Sequence, residues 1–246
     1  PGLVKGAISS RGANILHKIE AYLLKYCAGI MAAGPAGYIR LNDMLNIGSS
    51  APFNANDEDA FKVLSKPQSE FLNSRITRVG NAKRLDAYPL SRIQKRKRNK
   101  KFRILYIGVL EKHPSRGILE TAITVNKMKD VQFDIGGFGT LVPTIKKVCE
   151  KMANVNYIGS IHPDNVPLQT IESDAVLMAL DPKNDNNRMS APNKLFEAMS
   201  AGVPIITCKE LLMGQFVENE EIGLTFEWGK WDRLKAAIMK LIYDKE

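Results

Sequence analysis

The sequence is poor in the residues that build disulfide scaffolds and metal sites. Among 246 residues there are three cysteines and three histidines, and they lie far apart in the chain. An odd number of widely separated cysteines argues against a secreted disulfide framework. No spacing of cysteine and histidine matches a zinc site. These absences favour a reduced, cytoplasmic setting and predict no resident metal.

Long apolar runs are also missing. The longest stretch without a charged residue, 26–39, has 14 residues and is interrupted by three glycines and a proline. A transmembrane helix needs about 20 consecutive apolar residues, so no segment is expected to span a bilayer. The sequence begins with Pro1 and shows no charged-then-apolar signal segment. We therefore expect it to be part of a longer protein.

Acidic residues are fewer than basic ones. The 26 Asp and Glu stand against 35 Lys and Arg, which gives a formal net charge of +9. Such an excess suits anionic partners, whether phosphates, nucleic acid or acidic lipid headgroups. The basic run Lys95–Lys101 has no interleaved aromatic residue and no nucleic-acid-binding motif beside it. A solvated linker is the better interpretation, and no nucleic-acid partner is expected.

From Phe102 onward, short apolar runs alternate with segments of helical periodicity. The runs predict six strands: Phe102–Val109, Val131–Gly136, Val155–Ile161, Ala175–Leu180, Pro204–Cys208 and Gly223–Trp228. Six helices are predicted between and after them: Ile118–Met128, Val142–Met152, Val166–Glu172, Asn193–Ala201, Leu211–Glu218 and Trp231–Tyr243. Continuous apolar strands separated by helices indicate a parallel sheet covered on both faces. The pattern predicts a doubly wound, Rossmann-like α/β domain over 102–246, with ligands beyond the carboxyl ends of the strands.

The first hundred residues lack this alternation. An amphipathic helix is predicted over Asn14–Tyr26, a short apolar strand over Cys27–Ala33, and a second helix over Asn56–Lys66. The remaining stretch is polar and basic. We therefore expect a mainly helical remnant of another domain over 1–45 and a connector over 46–101.

The segment richest in polar side chains joins the fourth predicted strand to its helix. The loop 181–190 is polar, Ser190 is a candidate N-cap, and Gly202 is a natural helix stop. Pro192 fits the first turn of the helix. This helix therefore begins beyond the carboxyl end of a strand, where ligands of such sheets bind.

The start of this helix offers an anion site and a carboxylate. Free backbone N–H groups and the positive end of the helix dipole at Asn193 and Lys194 favour a negatively charged ligand. Glu197 lies on the same face one turn deeper, where it can accept hydrogen bonds from vicinal hydroxyls such as those of a ribose. On spacing alone, a capped helix with a solvated glutamate is the more economical interpretation.

A glycine-rich turn, Gly136-Gly137-Phe138-Gly139, follows the second predicted strand. Small residues let a backbone turn tightly and approach a ligand. The turn is not the dinucleotide fingerprint, because Val142 stands at the third glycine position, and this argues against a dehydrogenase. A purely structural turn is the alternative to a ligand-binding one.

Several segments together resemble a known enzyme family. Pro192-Asn-Lys-Leu-Phe-Glu-Ala-Met-Ser-Ala-Gly-Val-Pro-Ile-Ile resembles the nucleotide-binding segment of the group 1 (family 4) glycosyltransferases of GT-B fold. The resemblance continues, in the family's order and spacing, in Ile104-Leu-Tyr-Ile-Gly-Val-Leu, Arg116-Gly117, Phe133-Asp-Ile-Gly-Gly-Phe-Gly, Val155-Asn-Tyr-Ile-Gly-Ser-Ile and Ser173-Asp-Ala-Val. It implies that 102–246 is the C-terminal, donor-binding lobe of a two-lobed enzyme and that 1–45 is a remnant of the N-terminal acceptor lobe.

The resemblance also implies roles for individual residues. Glu197 matches the second Glu of the family's E-x7-E motif, which holds the donor's ribose hydroxyls. Arg116 matches a family Lys on the donor diphosphate, so Arg116 and Lys194 become the candidate catalytic cations, with a solvated loop arginine as the alternative for Arg116. The other candidate donor-binding residues are Gly108, Gly137, Gly139, Ser160, Ile161, Arg188, Pro192 and Asn193.

Two positions depart from the family pattern. Met189 stands where the first Glu of the motif contacts the donor sugar, and Asn187 and Arg188 are candidate substitutes for it. Val109 stands where the family has an Arg after the first strand's glycine. These departures affect the sugar side of the expected site more than the nucleotide side.

The activity implied by the resemblance is that of a hexosyltransferase in glycan biosynthesis. It would move a sugar from a nucleoside diphosphate sugar to a glycan or lipid-linked acceptor with retention, and the isolated chain would be inactive. No cofactor and no metal are expected, because cations and a helix dipole can stabilise the leaving diphosphate. The alternatives are a non-catalytic nucleotide-sugar-binding module and a GT-B-related sugar-nucleotide epimerase or hydrolase. A peripheral membrane contact through helix 14–26 is a further expectation, against core packing of its apolar face.

Overall fold

The computed structural model describes residues 30–33, 76–79, 83, 85–96, 99–112 and 115–243. The chain divides into two compact units, 1–81 and 82–246. The helices expected over 14–26 and 56–66 lie outside the described residues, as does the centre of the basic run 95–101. None of the helices among the described residues is long and apolar enough to cross a membrane.

The described part of the first unit is a pair of parallel strands. Strand β1 (Ile30–Ala33) pairs with β2 (Ile76–Val79), with Ile30 opposite Ile76 and Ala33 opposite Val79. Strand β1 falls within the apolar run that was expected to form a strand. Strand β2 was not predicted, because a four-residue run that contains an arginine gives little periodic signal. The strand pair therefore joins the segment expected as the N-terminal remnant, which contains β1, to the segment expected as the connector, which contains β2.

The second unit is built on a six-stranded parallel sheet. Its strands are β3 (Phe102–Val109), β4 (Val131–Phe138), β5 (Val155–Tyr157), β6 (Ala175–Met178), β7 (Ile205–Cys208) and β8 (Gly223–Phe226). The helices of this unit are α1 (Leu90–Gln94), α2 (Ile118–Asn126), α3 (Val142–Cys149), α4 (Val166–Ile171), α5 (Asp185–Met189), α6 (Asn193–Ala201), α7 (Leu212–Asn219) and α8 (Trp231–Tyr243). All six predicted strands are present, so the doubly wound α/β fold is confirmed.

The strand order places the expected ligand crevice. The order is β5-β4-β3-β6-β7-β8, so the chain starts in the middle, builds outward on one side and then returns to build the other. Strand β3 lies between β4 and β6, with Phe102 opposite Val131 and Ile104 opposite Ala175. The direction of winding reverses between β3 and β6. In open α/β sheets, ligands bind beyond the carboxyl ends of the strands at this switch point.

The central strands are apolar on both faces because helices cover both sides of the sheet. Side chains of β3, β4 and β6 form the centre of the core, among them Ile104, Tyr106, Phe133, Ile135 and Leu177, none of which is more than 1% exposed. Leu234 and Ile238 of α8 close one side of this core. Apolar burial of this extent is the main stabilising contribution to such a domain.

A network of polar side chains, which was not predicted, connects strands and a helix in the amino-terminal half of the sheet. Arg103 Nε on β3 lies 2.5 Å from Asp134 Oδ2 on β4, and Arg103 Nη2 donates to Gln169 Oε1 of α4 at 2.7 Å. Asp134 Oδ1 also accepts from Asn156 Nδ2 of β5 at 2.9 Å. A buried charge is tolerated where every polar group finds such a partner. This network joins three strands and a helix away from the carboxyl ends of the strands.

Residues 82–101, assigned above to the connector, belong with the second unit. Arg96 Nη1 donates to the carbonyl oxygen of Ser173 at 3.1 Å, and Asn99 Nδ2 donates to Asp174 Oδ2 at 2.9 Å. Asp174 Oδ2 accepts from the backbone N–H of Arg103 as well. These contacts join the segment to the start of β6, which the local sequence pattern does not show.

The polar loop 181–190 contains a short helix that was not predicted. Helix α5 is capped by Asn184, whose Oδ1 accepts from the backbone N–H of Asn187 at 3.1 Å. Ser190 does not cap α6, so that expectation was wrong: its hydroxyl donates to the carbonyl oxygen of Asn187 at 3.0 Å. Gly202 ends α6 with φ +61°, which confirms its predicted role as the helix stop.

Candidate functional site

Lys194 lies over the carboxyl end of β3. It is the second residue of α6, and its Nζ is 4.4 Å from the centre of the Tyr106 ring. A side chain at Gly108 would collide with it, because a Cβ built there would be 2.7 Å from Lys194 Nζ. The Tyr106 hydroxyl donates to the carbonyl oxygen of Val109 at 2.9 Å and so fixes the strand end. The structure therefore brings together Gly108 and Lys194, both predicted, with Tyr106, which was not.

The surroundings of Lys194 disfavour the charged form of its side chain. Burial and the neighbouring positive charge of Arg116 lower the pKa of Lys194 to about 8, whereas the carboxylate of Glu197 acts in the opposite direction. Two neighbouring cations with little solvent around them are unfavourable unless an anion lies near both. The positive charges at this end of the sheet therefore favour binding of a negatively charged ligand.

Arg116 is held by the tight turn that begins α2. Gly117 follows it with φ +61°, and a Cβ at Gly117 would lie 3.0 Å from Ala179 Cβ and 3.2 Å from Trp231 Cη2. The Nε of Arg116 is buried and has no hydrogen-bond partner among the described residues. A buried donor without a partner costs about 1–3 kcal/mol. The prediction that Arg116 is a ligand-binding cation gains a physical basis from this unpaired donor.

Glu197 is not a solvated surface residue, so that interpretation was wrong. Its Oε1 accepts a hydrogen bond from Lys83 Nζ at 2.9 Å, and the side chains of Lys83 and Glu197 are only 21% and 17% exposed. Burial, together with the negative charge of Glu197, raises the pKa of Tyr88 to about 12. Glu197 is therefore largely enclosed, in contact with Lys83, and lies three positions after Lys194 on the same side of α6.

The start of α6 leaves backbone donors available. Pro192 is the N-cap residue, and no side chain caps the helix. Asn193 is exposed at its first position. The first N–H groups of any α-helix have no partner within the helix, and the positive dipole end adds to the attraction for an anion. The anion site predicted at Asn193 and Lys194 has the required local structure.

Strand β4 continues through Phe138, so Gly136 and Gly137 are strand residues and not part of the expected turn. The glycines at the end of β4 are explained by backbone packing. Gly137 has φ +137°, and a Cβ there would be 1.8 Å from the carbonyl oxygen of Gly108 on the paired strand. Gly139 has φ +142°, and its Cβ would be 2.4 Å from the carbonyl oxygen of Leu110. Close approach of two backbones is sufficient reason for glycine at both positions. Their predicted contact with a donor stays a prediction.

The residues after β5 lie beside the end of β4. The backbone N–H of Gly137 donates to the carbonyl oxygen of Gly159 at 2.8 Å. Ser160 is exposed, and Ile161 packs near Gly136, where a Cβ would be 3.0 Å from Ile161 Cγ1. The assignment of Ser160 and Ile161 to the donor remains a prediction. His162, next in the chain, is exposed, and its Nδ1 accepts from the backbone N–H of Asp164.

The two candidates for the sugar side of the site, Asn187 and Arg188, differ in their hydrogen bonding. Asn187 is buried, and its Nδ2 donates to the carbonyl oxygen of Asp181 at 3.0 Å, so this side chain holds the loop together. Arg188 Nη2 donates to Asp185 Oδ1 at 3.0 Å, while its Nε is buried without a partner in the described parts of the chain. Arg188 therefore keeps this buried, unpaired donor for a ligand.

Metal ligands are not grouped in this part of the molecule. Within residues 83–243, apart from the few positions left undescribed, no set of three or more His, Cys, Asp or Glu side chains is placed to hold a metal ion. The positive groups described above are all supplied by side chains and backbone.

Comparison with known proteins places the chain in a family. The family model described as glycosyl transferases group 1 matches residues 101–244. Among solved structures, sucrose-phosphate synthase from Thermosynechococcus elongatus matches with a TM-score of 0.64 at 17% identity, over 99% of this chain and 57% of that one. Anabaena HepE, solved with UDP and glucose, matches with a TM-score of 0.58 at 15% identity, over 96% of this chain and 67% of that one.

A third similar structure is TarM of S. aureus, solved with fondaparinux, alpha-GlcNAc-glycerol and UDP. It matches with a TM-score of 0.57 at 16% identity, over 89% of this chain but only 37% of TarM. At such identities the likeness shows the fold alone. The chain thus spans a little over a third of the length of TarM and a little over half that of the synthase. No curated protein sequence matches the chain.

Proposed function

The chain belongs to the glycosyl transferases group 1 family, and from this premise we propose that its second unit binds a nucleoside diphosphate sugar as the donor in sugar transfer. The observation that carries the proposal is the placement of Lys194 and Arg116 at the switch point of the sheet, with Glu197 one helical turn deeper. The HepE and TarM structures contain UDP, which supports a nucleoside diphosphate as the ligand.

In this proposal the positive groups hold the diphosphate. Breaking the bond between the sugar and the diphosphate leaves additional negative charge on the phosphate oxygens. Lys194, Arg116 and the free N–H groups of α6 would stabilise that charge, and preorganised donors of this kind contribute most where water is excluded. Glu197 accepts hydrogen bonds from the ribose hydroxyls and takes no part in proton transfer.

The finer features of the activity are also proposals. We propose transfer with retention to a glycan or lipid-linked acceptor, as the family resemblance implies, with the acceptor groups supplied from outside the second unit. Val109, 39% exposed at the end of β3 where the family has an arginine, favours a non-catalytic donor-binding module as the second candidate. Measuring binding and transfer separately distinguishes the two candidates.

The test is titration calorimetry with UDP, GDP and ADP in the presence of EDTA. We expect one of these nucleotides to bind without added metal, because Lys194, Arg116 and the start of α6 supply the positive charge. A parallel assay with labelled donor sugars and glycan or lipid acceptors should show no transfer by this chain and transfer by a version extended at its N-terminus. Binding that needs Mg²⁺ or Mn²⁺ would contradict the metal-free site, and no binding of any nucleotide would contradict the proposed function.

Replacing Glu197 tests the ribose assignment. Hydrogen bonds to a charged group contribute about 1.5–3 kcal/mol each before desolvation is counted, so Glu197→Gln should weaken binding of the preferred nucleotide at least about tenfold, or ~1.4 kcal/mol. Binding of inorganic pyrophosphate, which has no ribose, should change little. Glu220→Gln, at an exposed glutamate after α7, is the matched control. Unchanged nucleotide affinity in folded Glu197→Gln would exclude Glu197 from the ribose site.

A further inference from the structure

Glu197 has a partner that no local motif indicates. Lys83 lies at the start of the second unit, and its Nζ is 2.9 Å from Glu197 Oε1 across 114 positions of sequence. Both side chains are largely enclosed, with 21% and 17% of their surfaces exposed. An ion pair at this degree of burial is screened less by water and salt than an exposed pair, so it can influence the site.

The contact leaves Glu197 able to bind a diol. An ionised carboxylate has about four lone-pair sites on two oxygens, and the hydrogen bond from Lys83 uses one site on Oε1. Two vicinal hydroxyls can still donate to the remaining sites. Lys83 therefore restricts where the carboxylate points without occupying its full hydrogen-bonding capacity.

The restriction has an energetic consequence. Immobilising a flexible side chain when a ligand binds weakens the affinity, and the ion pair with Lys83 orders Glu197 before any ligand arrives. It also places a positive charge beside the partly buried carboxylate. Lys194, on the same helix, provides the second positive charge near Glu197.

We propose that Lys83 is a positioning residue that holds Glu197 in one orientation for the ribose hydroxyls of the donor. This inference rests on the proposed function. Lys83 acts through Glu197 and does not touch the donor. The segment that begins the second unit is thereby part of the nucleotide site, although it lies outside every motif that carried the family resemblance.

The test compares Lys83→Met with Lys83→Arg. Methionine removes the charge and keeps the length, whereas arginine keeps the charge. UDP affinity should fall about three- to tenfold in Lys83→Met, which corresponds to the ordering cost of one flexible side chain, and less than about twofold in Lys83→Arg. Pyrophosphate affinity should be the same in all three proteins. Thermal unfolding verifies that each variant is folded, and Lys83→Gln replaces Lys83→Met if the latter does not fold.

A double-mutant cycle tests the route through Glu197. In a Glu197→Gln background, adding Lys83→Met should have almost no further effect on UDP binding, because the group that Lys83 positions is already changed. The proposal is overturned if Lys83→Met binds UDP as the wild type does, if it weakens pyrophosphate equally, or if its effect adds fully to that of Glu197→Gln. Failure of the wild type to bind UDP, GDP or ADP overturns the proposed function as well. Normal wild-type binding that is weakened by Glu197→Gln but not by Lys83→Met overturns this inference alone.

Discussion

Gly137→Ala is expected to destabilise the second unit by at least about 3 kcal/mol. Gly137 has φ +137°, a conformation that other residues rarely adopt, and its Cβ would be 1.8 Å from the carbonyl oxygen of Gly108. Because the colliding atom belongs to the backbone of the central strand, no side-chain movement relieves the contact. The ends of β3 and β4 would have to move apart, which would displace Gly108. A domain of this size has about 5–15 kcal/mol of stability in total, so the loss is severe.

Denaturant unfolding of purified protein measures this effect. Gly159→Ala is the matched control, because Gly159 also has a positive φ, +83°, but no atom lies within 4 Å of the position that a Cβ would take there. That variant should lose only the roughly 1–2 kcal/mol of backbone strain. Equal losses in the two variants would show that the close contact with Gly108 contributes nothing. A stable, nucleotide-binding Gly137→Ala protein would contradict the strand-end packing described here.

The sheet could be predicted because its signal is local and repeated. Each central strand is an apolar run bounded by polar turns, and the run 102–109 forms β3 with the predicted limits. Strand β5 is shorter than the predicted run, since it ends at Tyr157 and Gly159 adopts φ +83°. Helix α5 was not predicted because its residues Asp185–Met189 are polar and the helix has too few turns to show an apolar face. Its capping by Asn184 is a local signal that the sequence does contain.

The site could be predicted only in part. Gly108, Lys194 and Glu197 were identified because they belong to sequence motifs at the ends of strands. Tyr106 precedes Gly108 by two positions, so alternation in a strand places both on one face, and this spacing is the signal that could have found Tyr106. Lys83 could not be found in this way. Its contact with Glu197 joins positions 114 apart, and a long-range ion pair leaves no pattern in a single sequence.

Replacing Lys194 should have the largest effect on ligand binding. Lys194→Met removes the cation that lies over Tyr106 and the end of β3, while methionine retains a flexible apolar chain that packs well on an aromatic ring. A charge-assisted hydrogen bond contributes about 1.5–3 kcal/mol, so nucleotide and pyrophosphate affinities near pH 7 should both fall about 10- to 100-fold. Glu197→Gln should affect the nucleotide alone. The two variants thus separate the diphosphate end of the site from the ribose end.

The pH dependence of binding tests the role of the Lys194 charge more directly than the affinity at one pH. The pKa of Lys194 is lowered to about 8 by burial and by Arg116, and a bound diphosphate would raise it again. Affinity should therefore weaken as the pH rises above about 8, because binding then requires uptake of a proton. Calorimetry near pH 9 in buffers of different ionisation enthalpy should detect up to one proton taken up by the wild type. Lys194→Met should show no such uptake.

Stability should change with pH in the opposite sense. The unfolded chain holds the Lys194 proton up to about pH 10.4, whereas the folded protein loses it near 8. Between these values the unfolded state binds more protons, so the contribution of Lys194 to stability rises with pH. Below about pH 8 the folded protein bears the full cost of the charge, up to about 3 kcal/mol. Lys194→Met should therefore be more stable than the wild type near pH 7, and the difference should shrink towards pH 10.

Comparing the two proteins removes from this measurement the alkaline titrations of groups that do not contact Lys194. Burial raises the pKa values of Cys208 and Tyr88 to about 12, and these groups make the folded state less favourable at high pH in wild type and variant alike. Their contributions cancel in the difference between the unfolding free energies. A variant that binds pyrophosphate as well as the wild type would remove Lys194 from the site. A variant that loses both affinity and stability at pH 7 would show that Lys194 stabilises the fold. We expect Lys194→Met to gain stability and to lose ligand affinity. This result would show that the charge of Lys194 serves ligand binding and destabilises the folded protein.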